Sequence, residues 1–346
     1  MDVSANTALT FLDCGYNYLD TLDVSHNTAL DTLACDNNNL AGIDISTNTA
    51  LLRFVCNGNN FISLNLSTNT VLSQLYCGSN QLSSLDFSSN PNLVYLNCRY
   101  NNLTGGLNIL QNTNLHYLQC MQTSLTSLDL SGNQNLDTLD CSSNLLNGLD
   151  VSTNPDLKYL ECSFNPILSL NLSNNPSLRF LQSDFSNLIN LDVTSCVSLN
   201  CLSCYMSQLI SLNIRNGNNE NIIGFSAGGN PNLLCIEVDN VAFFNQAYPL
   251  AIDSIAHYST DCTVLISEVN TSEISISPNP TTVFIHISNL SSIYSIQLLN
   301  QLGMVVYNAL STDQSTTINI ESYPNGIYLL SLQNDDGVTT NKIIKI

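Results

Sequence analysis

The spacing of its cysteines is the feature of this sequence that most restricts its fold. Eight cysteines, from Cys14 to Cys162, follow one another at intervals of 21 residues with a single interval of 22. Aligned on them, segments such as LTFLDCGYNYLDTLDVSHNTA and LDTLDCSSNLLNGLDVSTNPD share the pattern LxxLxCxxNxLxxLDxSxNxx, and residues 9–219 hold ten such units. A fixed period of this length is typical of a solenoid, because one unit cannot bury its apolar face without a neighbour stacked on it.

Each unit contains two short segments with the alternation of a β-strand. In LxC and in LDV, apolar and polar residues alternate with period two, while the other apolar positions, such as Leu9 and Leu19, are expected to point into the interior from the corners. We therefore predict two strand-like segments per turn. Turns stacked at about 4.8 Å would form a parallel sheet along the whole array.

The pattern LxxLxCxxNxL resembles the leucine-rich repeat. The form that ends in LDxSxN is similar to the bacterial 21-residue class of this family, in which the signature occurs twice per turn. This resemblance implies a mainly β fold, namely a horseshoe-shaped solenoid of parallel strands. It also implies a protein that binds protein or glycan partners on its strand-lined face and catalyses no reaction.

Composition and motifs exclude several other function classes. Lys and Arg number 7 against 27 Asp and Glu, which gives a net charge of −20. No nucleic-acid partner is expected, because phosphate binding needs clustered cations. No apolar run approaches the roughly 20 residues of a transmembrane helix, so no transmembrane segment is predicted. The strings GxSxG, HExxH, GxGxxG and the P-loop are absent from the sequence, and we predict neither a cofactor nor an enzyme.

Three polar columns run along the array, and each has a structural interpretation. We expect the cysteines to be small buried hydrophobes, because a zinc site needs converging ligands and not a single file. Asparagines at the bends are expected to satisfy backbone groups left unpaired by tight corners. Aspartates of the LDxS segments, such as Asp23 and Asp44, could bind calcium. Charges about 4.8 Å apart in water repel by only ~0.9 kcal/mol, so this column needs no metal, and no metal site is predicted.

A column of outward-facing residues lies three positions before each cysteine, and half of its members are aromatic. Such rings supply contact area at low entropic cost, which favours a recognition face. The alternative is that they stabilise the sheet through cross-strand pairs. Arg99, which directly follows Cys98, is added to members of this column. The predicted ligand-binding residues are Phe11, Arg53, Tyr95, Arg99, Tyr117, Tyr159 and Phe180.

The two ends of the array differ from its middle. Residues 220–267 break the period, as expected for a cap, and resemble the cap of secreted leucine-rich repeat proteins of Bacteroidetes. Cys235 and Cys262 bracket this segment and are the best candidates for a disulfide in an oxidising compartment. At the other end, Met1 occupies the leucine position of a half-unit, so we expect a signal peptide and further residues upstream of it.

Short β-rich runs replace the repeat from about residue 268, which predicts a small antiparallel β-sandwich. SPNPTTVFIHIS, IQLLNQLGMVVY, INIESYPNGIYLLSL and KIIKI together resemble the C-terminal sorting domain of the Bacteroidetes type IX secretion system. The resemblance implies export across the outer membrane and removal of this domain by a sortase-like protease. The matching positions are Pro278, Asn279, Pro280, Gly303, Gly326, Lys342 and Lys345. Turn formation by the glycines and edge protection by the lysines are the alternative explanation.

The sequence thus predicts a repeat array over residues 1–219, its cap over 220–267 and a sorting domain over 268–346. The predicted function is that of a secreted or surface-displayed adhesion or recognition protein. Its expected partners are a protein or glycan ligand, the secretion machinery and the sortase-like protease. The alternative is the C-terminal part of a secreted enzyme, with a catalytic domain upstream of Met1 and the repeats as its targeting arm.

Overall fold

The structure of this protein is a computed structural model, which describes residues 1–262, 274–288, 290, 294–300, 305–311, 313–334 and 337–346. The chain divides into two compact units, Met1–Cys262 and Thr263–Ile346. The boundary predicted between residues 267 and 268 lies outside the described residues.

A parallel sheet of eleven strands runs through residues 1–262, which are described throughout. Ten of its strands fall on the predicted units, and the eleventh lies beyond residue 219. In spatial order they are β1 (Phe11–Asp13), β2 (Thr32–Ala34), β3 (Arg53–Val55), β4 (Gln74–Tyr76), β5 (Tyr95–Asn97), β6 (Tyr117–Gln119), β7 (Thr138–Asp140), β9 (Tyr159–Glu161), β11 (Phe180–Gln182), β13 (Cys201–Ser203) and β15 (Gly224–Ser226).

Each strand of this sheet is three residues long, and its middle residue points inward. Leu33, Phe54 and Leu75 are fully buried at this position, and the register pairs each with the equivalent residue of the next turn. Their flanking residues face outward. The interior is therefore one continuous apolar core, with the leucines of successive turns in contact, as the period predicts.

The second segment of the unit pairs as a strand in only some turns of residues 1–262. Two strands pair around residues 149–171, and four more form a separate sheet in the last turns. They are β8 (Leu149–Asp150), β10 (Leu170–Asn171), β12 (Asn190–Asp192), β14 (Ser211–Asn213), β16 (Cys235–Glu237) and β17 (His257–Ser259). The prediction of two strand-like segments in every turn is therefore only partly right. In most turns the Asp of LDxS accepts a hydrogen bond from the backbone N–H two residues later, as Asp44 does from Ser46 at 2.9 Å. Asp150 makes the same bond in the paired strand β8, so this bond is compatible with either arrangement.

The cysteine column is buried, as expected. All eight ladder thiols from Cys14 to Cys162 lie in the interior as free cysteines. Burial disfavours the thiolate, and it raises the pKa of Cys98 to about 12 and that of the neighbouring ladder thiols in the same direction. Cys201, which stands in the outward column, is only half-buried.

We expect the buried thiols to be inert toward thiol reagents in the native protein. At about pH 8, near the ordinary pKa of a free thiol, Ellman's reagent should react slowly with Cys201 and not with the ladder cysteines. Adding denaturant should expose all eleven free thiols. The measurement is a count of labelled sites by mass spectrometry before and after unfolding. Rapid native labelling of Cys98 would contradict the buried ladder.

Asparagine side chains hold successive turns together. Asn144 is buried, and its Nδ2 donates to the carbonyl oxygens of Cys120 and Cys141 at 2.9 Å each. Its Oδ1 accepts from the backbone N–H of Thr123 and Leu125 at 3.0 Å each. These bonds join one turn to the preceding one and satisfy backbone groups at the bend. The structural role expected for this column is confirmed.

The end of the first unit departs from the repeat. It contains a 3₁₀ helix, Asn219–Asn221, and the helix α1, Val241–Ala247, which Asn240 caps by accepting from the N–H of Phe243 at 3.0 Å. Phe244 and Tyr258 pack here, with ring centroids 5.0 Å apart. A disulfide joins Cys235 to Cys262.

Among the described residues of the second unit, seven strands form two antiparallel sheets. The first has the order β18 (Ser275–Ser277), β19 (Phe284–Ser288), β22 (Ser315–Asn319). The second has the order β21 (Val305–Ser311), β20 (Tyr294–Leu299), β23 (Gly326–Asn334), β24 (Gly337–Lys345). Ile285 and Ile318 from the first sheet share one buried cluster with Leu298, Leu330 and Ile343 from the second. The unit is the antiparallel two-sheet domain that the sequence predicts.

Candidate functional site

The outward face of the eleven-stranded sheet carries two columns of side chains. The aromatic column contains the first residue of each strand, and the polar column contains the third. Parallel, in-register pairing places like positions of adjacent turns side by side, for example Tyr95 beside Tyr117 and Asn97 beside Gln119. Six of the seven predicted ligand-binding residues lie in the aromatic column of this face, whereas Arg99 follows the end of its strand, after Cys98.

Rings on this face stack directly upon one another in two groups. Tyr76, Tyr95 and Tyr117 form the first group, with centroid separations of 4.5 and 4.1 Å. Tyr159 and Phe180 form the second, with a separation of 4.4 Å and an interplanar angle of 5°. Stacked rings cover each other's faces, so each group presents mainly ring edges and hydroxyl groups to solvent. Four of the predicted binding residues are thus brought together in two pairs, Tyr95 with Tyr117 and Tyr159 with Phe180.

Arginines accompany the first group of rings. The guanidinium of Arg53 lies over the ring of Tyr76, 5.1 Å from its centroid, and that of Arg99 lies 5.7 Å from the centroid of Tyr100. Contacts of this kind are attractive because the ring face carries negative charge density. Burial, together with a hydrogen bond that Tyr95 donates to Tyr117, raises the pKa of Tyr95, so its hydroxyl remains a neutral donor.

Carboxylates accompany the second group of rings. The polar column carries Asp140 and Glu161 side by side, and Asp184 lies in the next turn. Asp184 Oδ1 accepts from the hydroxyl of Ser203 at 2.6 Å and from the backbone N–H of Tyr205 at 2.8 Å. Burial raises the pKa of Glu161 above its ordinary value. The two aromatic groups therefore differ in their electrostatic surroundings.

A third set of exposed rings was missed by the sequence reasoning. One residue per turn, two positions after the cysteine column, has a left-handed backbone, which usually favours glycine or asparagine. Here Phe164 and Phe185 occupy it with φ of 56° and 52°, and their rings stack 4.6 Å apart. Bulky residues in this conformation are strained, and such strain often marks a functional position. An aromatic residue at the glycine-like position of the repeat is the signal that could have found them.

Phe11 is the one predicted binding residue that stands apart from these groups. It lies in β1 with 58% of its surface exposed, and the register places Thr32 between it and Arg53. Within residues 1–262, no ring contact to Phe11 is found. Its assignment to the binding face stays a prediction.

The aspartate column has local partners for its carboxylates. Asp23, Asp44 and Asp129 each accept a hydrogen bond from the backbone N–H of the serine two residues later. Hydrogen bonds from the serine side chain and from its backbone N–H together lower the pKa of each carboxyl and hold it charged. Asn65 makes the equivalent bond through its amide oxygen, so the turn itself needs no negative charge. In the part of the chain that the structure describes, no group of three or more His, Cys, Asp or Glu is arranged to hold a metal ion.

The predicted sorting residues converge in the second unit. Asn279, between Pro278 and Pro280, donates from Nδ2 to the carbonyl oxygen of Lys342 at 2.6 Å and accepts from the N–H of Ile344 at 2.9 Å. These two bonds tie the SPNP segment to the KIIKI segment across more than 60 residues of sequence.

Lys345 is buried at the same place. Its Nζ donates to the carbonyl oxygens of Glu321 at 3.1 Å and Tyr323 at 2.5 Å, and its backbone pairs with Gly326 and bridges to Thr281. Lys342, by contrast, is exposed. Gly303 lies outside the described residues.

Solved structures share the fold of this chain at low sequence identity. The functional domain of InlJ from Listeria monocytogenes, described as including a cysteine ladder, matches with a TM-score of 0.56 and 21% identity over 100% of this chain and 83% of that one. A leucine-rich repeat protein of Leptospira interrogans matches with a TM-score of 0.63 and 20% identity over 74% of each chain. The leucine-rich effector YopM of Yersinia pestis matches with a TM-score of 0.54 and 22% identity over 66% of this chain and 65% of that one.

Sequence comparison identifies the C-terminal unit. Residues 275–346 match the family described as the secretion system C-terminal sorting domain, whereas no curated protein matches the chain. Among the described residues, no helix has the length and apolar character to cross a membrane. The chain is therefore a parallel-strand solenoid of the leucine-rich repeat type that carries a type IX sorting domain at its C-terminus, and this domain indicates secretion and surface display.

Proposed function

We propose that this protein is a surface-displayed or secreted recognition protein whose sheet face binds a partner molecule. The observation that carries the proposal is the pair of stacked aromatic groups on an otherwise polar face. An aromatic ring on an exposed sheet gains hydrophobic free energy only when a neighbouring side chain or a partner molecule covers it. Here the stacking covers the faces between neighbouring rings, and a partner would cover the edges and the outer faces.

A protein partner suits this surface better than a glycan. A sugar packs its apolar face on an open aromatic ring, but Tyr95 is stacked on both sides and the other rings of the two groups on one side, at 4.1 to 4.5 Å. Ring edges, hydroxyl groups and two arginines are the groups that dominate protein interfaces. A glycan ligand remains the outcome to be distinguished by experiment.

Replacing the three tyrosines Tyr95, Tyr117 and Tyr159 with threonine should reduce binding of the full-length protein to its partner by about 100-fold, because rigid aromatic residues are the usual hot spots of an interface. Threonine already occupies this column at Thr32 and Thr138, so the variant keeps residues suited to a strand. The measurement is a screen of surface-protein and glycan arrays, followed by titration of each hit.

The matched control is Tyr18→Thr, which removes a ring that is 91% exposed and outside the sheet. It should bind as the wild type does. Circular dichroism of the triple variant separates lost recognition from lost folding. Unchanged binding by a folded triple variant would mean that the rings only stabilise the sheet.

The sorting domain completes the proposal. We infer that the type IX machinery recognises residues 275–346 and that a sortase-like protease then removes them, which leaves the solenoid at the cell surface or in the medium. The separate apolar cores of the two units support this division, because the solenoid keeps its own core when the sorting domain is absent.

A further inference from the structure

Thr138 interrupts the aromatic column between the two groups of rings. The register places Tyr117 on one side of Thr138 and Tyr159 on the other. Tyr117 is nearly parallel to Tyr95, at 8°, and Tyr159 to Phe180, at 5°. Each of the two rings thus has one face stacked on its partner and the opposite face turned toward the space above Thr138. We call this space the Thr138 slot.

The width of the Thr138 slot follows from the strand spacing. Tyr117 and Tyr159 belong to strands two steps apart, so their rings stand about 9.6 Å apart. A group placed midway would lie about 4.8 Å from each ring, which is inside the roughly 6 Å over which a cation is attracted to an aromatic face. The slot therefore has room for one planar group between two rings.

One side of the slot is lined by carboxylates. Asp140 and Glu161 are neighbours in the polar column, each two residues along the strand from the slot. Asp140 Oδ1 accepts from the hydroxyl of Ser142 at 2.6 Å, and Glu161 Oε1 accepts from the N–H of Ser163 at 3.1 Å. No hydrogen bond to Asp140 Oδ2 or Glu161 Oε2 is found among the residues described. Each carboxylate is thus held by one oxygen and keeps the other for a ligand.

The opposite side of the slot carries a compensated charge. Asp137 Oδ1 accepts from the hydroxyl of Thr138 at 2.8 Å, and its Oδ2 lies 3.8 Å from Lys158 Nζ and 3.9 Å from His116 Nδ1. The lysine charge is therefore offset by Asp137. With Asp140 and Glu161 added, carboxylates outnumber cations around the slot, which favours a positively charged guest.

We propose that the Thr138 slot receives an arginine side chain of a protein partner, an inference that rests on the proposed recognition function and names the group recognised. A guanidinium is planar, remains charged, stacks on aromatic faces and donates hydrogen bonds to carboxylates. The same face already contains a contact of this kind, since the guanidinium of Arg53 lies over the ring of Tyr76. In the slot a second ring and two carboxylates would surround the guanidinium.

The test is a titration of the full-length protein with acetyl-Gly-Arg-Gly-amide, followed by saturation-transfer NMR at low ionic strength. Acetyl-Gly-Gln-Gly-amide is the uncharged comparison and should bind about ten-fold more weakly, because it lacks the cation that interacts with both rings. Thr138→Tyr fills the slot with a residue that the column already contains, and it should weaken binding of the arginine peptide by a similar factor. Thr32→Tyr makes the same change in a distant turn of the column and should have no effect.

Several outcomes would overturn the assignment. Equal binding of the two peptides would remove the charge argument, and unchanged arginine binding by Thr138→Tyr would place the contact elsewhere. Binding of methyl glucoside or methyl galactoside that is lost in Thr138→Tyr would assign the slot to a glycan. The partner screen with the tyrosine variants is a separate measurement, so the slot can fail while the recognition face stands.

Discussion

Replacing Asn144 with leucine is expected to lower the free energy of unfolding of the solenoid by about 4 kcal/mol, among the largest effects of a single substitution. The variant removes a side chain whose Nδ2 serves three carbonyl oxygens and whose Oδ1 accepts from Thr123 and Leu125. The N–H groups of Thr123 and Leu125 lose their acceptor, and a buried unpaired N–H is costly. The three carbonyl oxygens each keep another donor, namely Thr123 Oγ1, Asn165 Nδ2 and the N–H of Gln122. Urea unfolding followed by circular dichroism measures the loss.

Asn135 provides the matched control for this prediction. It is exposed, and its Nδ2 donates to the carbonyl of Thr113 at 3.0 Å. Asn135→Leu should change stability by no more than about 1 kcal/mol. A similar loss of stability in both variants would show that the loss comes from introducing a leucine and not from removing the hydrogen bonds of Asn144. Hydrogen exchange should locate the effect of Asn144→Leu in the turns next to it, because each repeat contacts only its neighbours.

Much of this architecture could be predicted because it follows from one repeated pattern. The period fixes which residues of each turn stack on which, so the buried leucines, the cysteine ladder and the asparagine bends could be read from spacing alone. Thr123 shows the limit of that reasoning. It stands where the column has asparagine and keeps a bond to the carbonyl of Cys120 at 2.6 Å through its hydroxyl. A different residue type can therefore serve the same bend.

The arrangement of the binding face could not be predicted in the same way. Whether neighbouring rings stack or separate depends on their rotamers, and these depend on the next turn and not on the unit itself. The sequence shows Thr138 between two tyrosines, but only the structure shows that each of these rings is stacked on its neighbour away from Thr138. Arg53 likewise contacts Tyr76 across two columns, a diagonal pair that a column-by-column analysis does not consider.

Removing residues 275–346 is expected to abolish surface display while leaving the solenoid folded. The sorting domain is the export signal identified by comparison, and the solenoid has its own buried core. In the native host, the truncated protein should accumulate inside the outer membrane. Antibody labelling of intact cells, compared with labelling after lysis, measures the distribution. Surface labelling equal to that of the wild type would mean that export depends on another part of the chain.

Comparing Lys345→Met with Lys342→Met tests whether export depends on the folding of the sorting domain or on its exposed surface. Because Lys345 Nζ is buried on the carbonyls of Glu321 and Tyr323, the variant leaves both oxygens unpaired and should destabilise the domain by about 2 kcal/mol. Lys342→Met removes an exposed ammonium, while the bond from Asn279 to the backbone of Lys342 is retained. Export reduced only by Lys345→Met would show that the machinery requires the folded domain. Export lost in Lys342→Met, with the domain stable, would instead make that exposed lysine part of the recognised surface.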